Sequence, residues 1–299
     1  MEKYMHPKIA IIEAPSNLGL RPPAEGCVPG CYKAPWALRN AGLARHLDAI
    51  EIGCVIPPRY DPHWEPGVTT RNSKAIAEYS RSVASAVEQA LNENLFPLLI
   101  GGDCSILIGA GLALKRRGTY GLLFLDGHTD FRHLGNTGKI DAAAGEDLAI
   151  SVGLGDQNLI NLSGIGPNFD NLHVAVVGVR PSDEHLKELA ERSIFYKTSS
   201  DVIASLSESL DPCLSLVSDQ TKGFWLHVDL DVVDCSEMFA ADCPEPEGIS
   251  FRQLSDIIRL ARATKKCVGM DVTIYDPDLD PDAYCAQKIV SCLKDSLGS

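Results

Sequence analysis

Leu122-Leu123-Phe124-Leu125-Asp126-Gly127-His128-Thr129-Asp130 is the stretch on which the fold turns. The four apolar residues after Gly121 read as a buried parallel strand. They run directly into three potential metal ligands at alternate positions. Where such a strand ends, side chains at i, i+2 and i+4 still point roughly one way. Asp126, His128 and Asp130 are therefore expected to converge at a strand's carboxyl end, the edge where open α/β sheets keep their sites. Taken alone, the stretch also fits a blander arrangement, with Asp126 capping a helix and the other two solvated in a turn.

The flanking sequence favours the sheet. Apolar runs at 8–13, 50–56, 96–100, 121–125, 173–179, 193–196, 224–228 and 266–272 predict strands. Helical spacing predicts helices over 36–47, 73–92, 106–117, 183–192, 200–217, 250–263 and 282–297. In the first of these Trp36, Leu38, Ala41, Leu43 and Leu47 would face inward, and Ser73 would cap the second. Irregular stretches fill 17–35 and 57–72, the first long enough to be functional or mobile. Strand and helix alternate, which predicts an α/β class protein. The whole chain, 1–299, would then form one doubly wound domain with a mainly parallel sheet.

Composition sets outer bounds. The 299 residues are 45% hydrophobic and 22% charged, ordinary for a globular protein, with a net charge of −13. That charge argues against a general nucleic-acid or anionic-membrane surface, since both need clustered Lys and Arg. No run approaches transmembrane length and the first residues lack a signal peptide's apolar core, so a cytoplasmic location is expected. Ten cysteines are scattered along the chain and read as buried free thiols rather than disulfides. Cys27 and Cys31 form a lone CxxxC without a second pair and read as loop residues.

Phe224-Trp225-Leu226-His227-Val228-Asp229-Leu230-Asp231 repeats the first design: an apolar strand delivers Asp229 and Asp231 at alternate positions. Five Asp and His side chains at one sheet edge would repel each other unless cations lie among them. Oxygen ligands plus imidazole suit manganese, with iron, cobalt, nickel or zinc also possible. A third strand-end element is Gly101-Gly102-Asp103-Cys104-Ser105.

Together GGDCS, DGHTD and HVDLDVVD resemble, in order, the three signature motifs of the arginase and agmatinase (ureohydrolase) family. The similarity extends to residues 30–43 and to Val177-Gly178-Val179-Arg180. The resemblance implies a three-layer α/β/α fold. It also implies two manganese ions with a bridging hydroxide that hydrolyses a guanidino or amidino C–N bond, and a homo-oligomer, trimer or hexamer, acting on a small molecule. Asp126, His128, Asp130, Asp229 and Asp231 match five of the family's six metal ligands, and Asp130 would also pass a proton to the leaving amine. By the same resemblance Arg132 and Asp183 are substrate-binding positions. Two cations roughly 3.5–4 Å apart suit such chemistry because they lower the pKa of a shared water.

Several positions depart from the family pattern. The sixth ligand, a histidine in the familiar enzymes, is Cys104. A thiolate there would ligate softly, favouring zinc or iron, or the thiol would simply pack. The family's catalytic-loop histidine falls near Ala144, and its guanidinium-binding glutamate near Ile274. Arg132 stands where arginase has an asparagine. Arginine is therefore not the expected substrate. Glu146, Asp147, Asp276, Asp278 and Asp280 are candidates to replace the lost carboxylate, or are solvated loop acids. His133 and His63 are candidate proton shuttles. Two other readings stay open: a single-zinc amide hydrolase of the deacetylase kind, and a non-catalytic binding homologue.

Overall fold

Eight of the predicted apolar runs form eight strands: β1 Ile9–Ala14, β2 Ile50–Cys54, β3 Phe96–Gly101, β4 Gly121–Leu125, β5 Val174–Val179, β6 Phe195–Thr198, β7 Phe224–Asp229 and β8 Cys267–Thr273. In this computed structural model residues 6–64, 67 and 69–298 are described. The strands make one sheet in the order β2-β1-β3-β8-β7-β4-β5-β6. Every neighbouring pair is parallel.

The helices are α1 Ala34–Asn40, α2 Leu43–His46, α3 Ser73–Asn92, α4 Ile106–Arg117, α5 Leu134–Thr137 and α6 Asp147–Ser151. They continue with α7 Gln157–Ile160, α8 Leu186–Glu191, α9 Ser199–Ala204, α10 Leu206–Ser218, α11 Phe251–Ala263 and α12 Tyr284–Leu297. Alternation along each strand divides the core. Leu123 and Leu125 of β4 join α1, α10, α11 and α12 on one face. Leu122 and Phe124 join α3, α4 and α6 on the other. Both faces are apolar because both are covered, so strands such as β3 and β4 are buried at every position. Each fully buried large side chain contributes roughly 1.5–3 kcal/mol towards the chain's ordering cost.

The α/β/α architecture agrees with the sequence; some details differ. The helix predicted over 36–47 breaks at Gly42, whose φ of 90° suits glycine, and Trp36 is 43% exposed rather than inward. Ser73 does not cap α3: it is the first helical residue, and Asn72, in the left-handed region, precedes it without a side-chain cap. The predicted 200–217 helix is two, separated by extended Ser205. Between β4 and β5 the short helices α5, α6 and α7 carry no sequence periodicity and were not anticipated. Among the described residues no helix is long and apolar enough to cross a membrane. All ten cysteines are free.

Candidate metal centre

Strands β3, β8, β7 and β4 lie side by side in the middle of the sheet. Their carboxyl ends therefore bring GGDCS, the end of β8, HVDLDVVD and DGHTD to one edge. Gly127 lets the β4 and β7 loops touch: a Cβ there would sit 2.2 Å from Arg180 Nη1 and 2.8 Å from the Asp231 carbonyl. Its N–H donates instead to Asp231 Oδ1 at 3.0 Å. The His128 N–H donates to Asp126 Oδ1 at 2.6 Å, and the Asp231 N–H to Asp229 Oδ1 at 2.8 Å. These turns hold the carboxylates facing one another.

Two sets of potential ligands result. Asp126, His128 and Asp231 offer atoms within 4.8 Å of one another, and Cys104, His227 and Asp229 do the same. His128 Nδ1 lies 3.0 Å from Asp231 Oδ2. Cys104 Sγ donates to Asp229 Oδ2 at 2.6 Å and to Thr273 Oγ1 at 3.2 Å. Asp126 Oδ2 is buried with no hydrogen-bond partner. A buried ion without partners costs several kcal/mol, a large part of a domain's 5–15 kcal/mol net stability, roughly speaking. Such a cluster must either take up protons or hold cations.

The electrostatics show the same tension. Burial, and then the charges of Asp130, Asp231 and Asp229, push the Asp126 carboxyl well above its ordinary range. Burial and Asp231 do the same to Asp229. Burial raises Asp130 to about 7, against the pull of His128. Burial opposes charge on His128, but its bond to Asp231 and the surrounding carboxylates prevail and lift the imidazole to about 10. Burial of Asp231 is outweighed by His128, so its carboxyl stays low. Burial and Asp229 drive the Cys104 thiol well up. Oxygen, imidazole and thiol donors with unpaired lone pairs fit divalent cations.

Asp130 enters neither compact set. Its backbone turns into the left-handed region at φ 41°, while its charge acts on Asp126, Asp229 and Cys104. Asp183 binds the motif itself: its carboxylate accepts from Thr129 N–H at 3.0 Å, Thr129 Oγ1 at 2.9 Å and His185 N–H at 2.8 Å. Arg132 is exposed, lies near Gly145, and makes no salt bridge among the described residues. Ile274 is 3% exposed and held at φ 72°, its N–H bonded to Gly102 O at 2.7 Å.

Other candidates turn out to be structural. Glu146 accepts from Thr70 Oγ1 at 2.7 Å and from the Asp141 N–H at 2.5 Å. Asp276 anchors Gly30, Asp278 pairs with Lys33, and Asp280 accepts from Tyr275 and Ala286. His133 caps α5 through Nδ1 and meets Glu188 through Nε2 at 2.8 Å, so neither ring nitrogen is available to shuttle protons. His63 pairs with Asp61 on an exposed loop. Asp147 differs from these. It is fully buried, both its oxygens lack hydrogen-bond partners, and Oδ2 lies 3.8 Å from His227 Nε2.

His227 is the residue the sequence reading missed. It sits two positions before Asp229 on the same side of β7, so strand alternation was the available signal. A surface hollow of about 580 Å³ beside α8, lined by Asn136, Glu184, His185 and Glu188, contains none of the clustered residues. Chemistry, not cavity size, marks the centre.

The arginase family profile matches residues 7–294. The arginase of Bacillus caldovelox is 28% identical over 300 residues, covering 97% of this chain and 98% of that protein. The native structure of B. caldovelox arginase superposes with a TM-score of 0.86 at 27% identity, over 99% of both chains. Formimidoylglutamase from Bacillus subtilis shares the fold, with a TM-score of 0.74 at 18% identity over 99% of this chain and 88% of that one.

Proposed function

Because the chain belongs to the arginase family, we propose that it is a ureohydrolase-type, metal-dependent hydrolase of a C–N bond in a small guanidino or amidino compound other than arginine or agmatine. The observation that carries this reading is the convergence of Asp126, His128, Asp229, Asp231 and Cys104 at adjoining strand ends, with the buried Asp126 Oδ2 left without a partner. Asp126, His128, Asp130, Asp229, Asp231 and Cys104 would hold two ions, manganese in the family pattern. When bound, the ions supply Lewis acidity and a water acidic enough to attack at neutral pH.

The chain's own side chains do the rest. Asp130, in the position the family resemblance gives to the proton-transferring carboxylate, would take a proton and release it to the departing nitrogen. Asp183 holds Thr129, and so fixes the turn that presents Asp130. Ile274 offers no anion to a guanidinium, and burying an unpaired cation costs several kcal/mol. Arg132, unpaired and one residue past Phe131, favours a carboxylate-bearing tail on the substrate. The cytoplasmic location and the trimeric or hexameric assembly implied by the resemblance belong to this reading; sedimentation of the purified protein tests the assembly.

Metal analysis followed by a urea- and ammonia-release screen of guanidino and amidino compounds is the decisive experiment. Two ions per chain and turnover of a non-arginine substrate are expected. One zinc per chain with cleavage of a linear amide would favour the deacetylase-like reading. Turnover of arginine or agmatine at roughly 1–1,000 per second would overturn the specificity assignment. Asp126→Asn is expected to remove bound metal and activity together; an active variant with full metal content would displace Asp126 from the centre.

A further inference from the structure

The family's imidazole at the start of α4 is replaced here by Cys104, yet an imidazole has not left the site. His227 approaches it from β7, with a ring nitrogen, Cys104 Sγ and an Asp229 oxygen all within 4.8 Å. His227 is wholly buried, stacked on Phe124 at 4.6 Å between ring centroids. Its Nδ1 meets Asp271 Oδ2 at 2.5 Å on the adjoining strand, where His227 and Asp271 are register partners. Trp225 Nε1 donates to the other Asp271 oxygen. A carboxylate on one ring nitrogen fixes the tautomer and leaves the other nitrogen's lone pair free, the arrangement that metal-binding histidines use. That nitrogen, Nε2, has no hydrogen-bond partner.

Asp147 lies against the free nitrogen of His227. Its carboxylate is wholly buried and unpartnered, with Oδ2 3.8 Å from His227 Nε2. That gap is too long for a hydrogen bond. It is close to the ~3.3 Å edge of a tetrahedral zinc site with bonds of ~2.0 Å. Cys104, His227 and Asp229 offer donors of three kinds within 4.8 Å of one another, Asp147 adds a buried carboxylate beside His227 Nε2, and the Cys104–Asp229 hydrogen bond is the contact an ion would replace.

We propose that the second ion is held by Cys104, His227, Asp229 and Asp147, and that this soft-leaning site selects zinc or ferrous iron over manganese. The oxygen-rich set of Asp126, His128 and Asp231 keeps the harder preference, so the centre is built for two unlike metals. The inference rests on the two-ion reading above and adds a ligand exchange: an imidazole has moved from a helix start to the neighbouring strand.

Cobalt(II) titrated into metal-stripped protein tests it. Two ions are expected per chain, one bringing a sulfur-to-cobalt charge-transfer absorption. Cys104→Ser abolishes that absorption. His227→Gln and Asp147→Asn alter it and weaken that ion at least ~10–100-fold, the range seen when even a ligand's supporting partner is lost. Asp271→Asn, which leaves the shape and reverses the His227 tautomer, weakens the same ion by ~10–100-fold. The other ion keeps its affinity in all four variants, and zinc displaces the sulfur-bound cobalt at far lower concentration than manganese does. If His227→Gln does not fold, Asp271→Asn carries the same comparison.

The failures are distinguishable. No bound ion at all overturns the two-ion reading together with this inference. Two ions with unchanged charge transfer and affinity in the His227, Asp147 and Asp271 variants overturn this inference alone, as does a wild type without sulfur charge transfer.

Discussion

Ile274 carries its own evidence of purpose. A β-branched residue at φ 72° costs about 1–2 kcal/mol of backbone strain, and it stands at the end of β8 beside Gly102. Ile274→Glu would place an anion there, buried and unpaired. Its Tm is expected to fall by roughly 5–10 °C, and millimolar arginine should restore much of the loss. If arginine leaves the variant's Tm unmoved, Ile274 does not face the pocket. Glu146, next to Asp147 in sequence, is tied to Thr70 and Asp141, and burial raises its carboxyl from 4.5 to about 7. A group bound more tightly to its proton when folded stabilises fully below its unfolded pKa and loses that contribution as pH rises through the folded one. Wild type should therefore lose on the order of 2 kcal/mol between about pH 4.5 and 7.5 relative to Glu146→Gln. Parallel melting curves of the two proteins across that range would reject the assignment.

At the scale of elements, the turns do the positioning. Gly102 closes β3 against the loop after β1: a Cβ would lie 1.7 Å from the Ser16 carbonyl oxygen, which no side-chain motion can relieve. Gly102→Ala should cost about 3 kcal/mol or more and displace Cys104, lowering both Tm and metal content. A variant with wild-type melting would mean the β1 loop yields freely. The strands, and the ligands two residues apart at their ends, were legible because period-two alternation is local. The role of His227 was not: it depends on Asp271, which lies 44 positions away in sequence and reaches it only through the β7–β8 register. Asp147 was one of five indistinguishable loop acids until two buried, unpartnered oxygens separated it from Glu146 and the three after β8, which all have hydrogen-bond or ion-pair partners. The split of the 36–47 helix was legible in Gly42, whose neighbours' apolar spacing masked it.

At the scale of the whole molecule, the buried carboxylates couple metal to stability. Asp126, Asp147 and Asp229 are pushed well up by burial and by one another, and Asp130 to about 7. Without metal, their raised values stabilise the fold below about pH 4 and lose that contribution as pH climbs towards and past 7. Metal needs the deprotonated forms, so its stabilising effect runs the other way. The Tm difference between metal-loaded and stripped protein should grow from pH 5.5 to pH 8. A difference that is flat or shrinks over that range would show that these groups do not hold the ions. The strand order has one more consequence. β7 and β8 come last in the chain yet occupy the middle of the sheet, between β3 and β4. A ribosome that has released only the first two-thirds of the chain has made two three-stranded half-sheets, each with an apolar open edge that invites pairing with other chains. Until the final strands slide in and join the halves, those inner edges stay open to pairing with other chains.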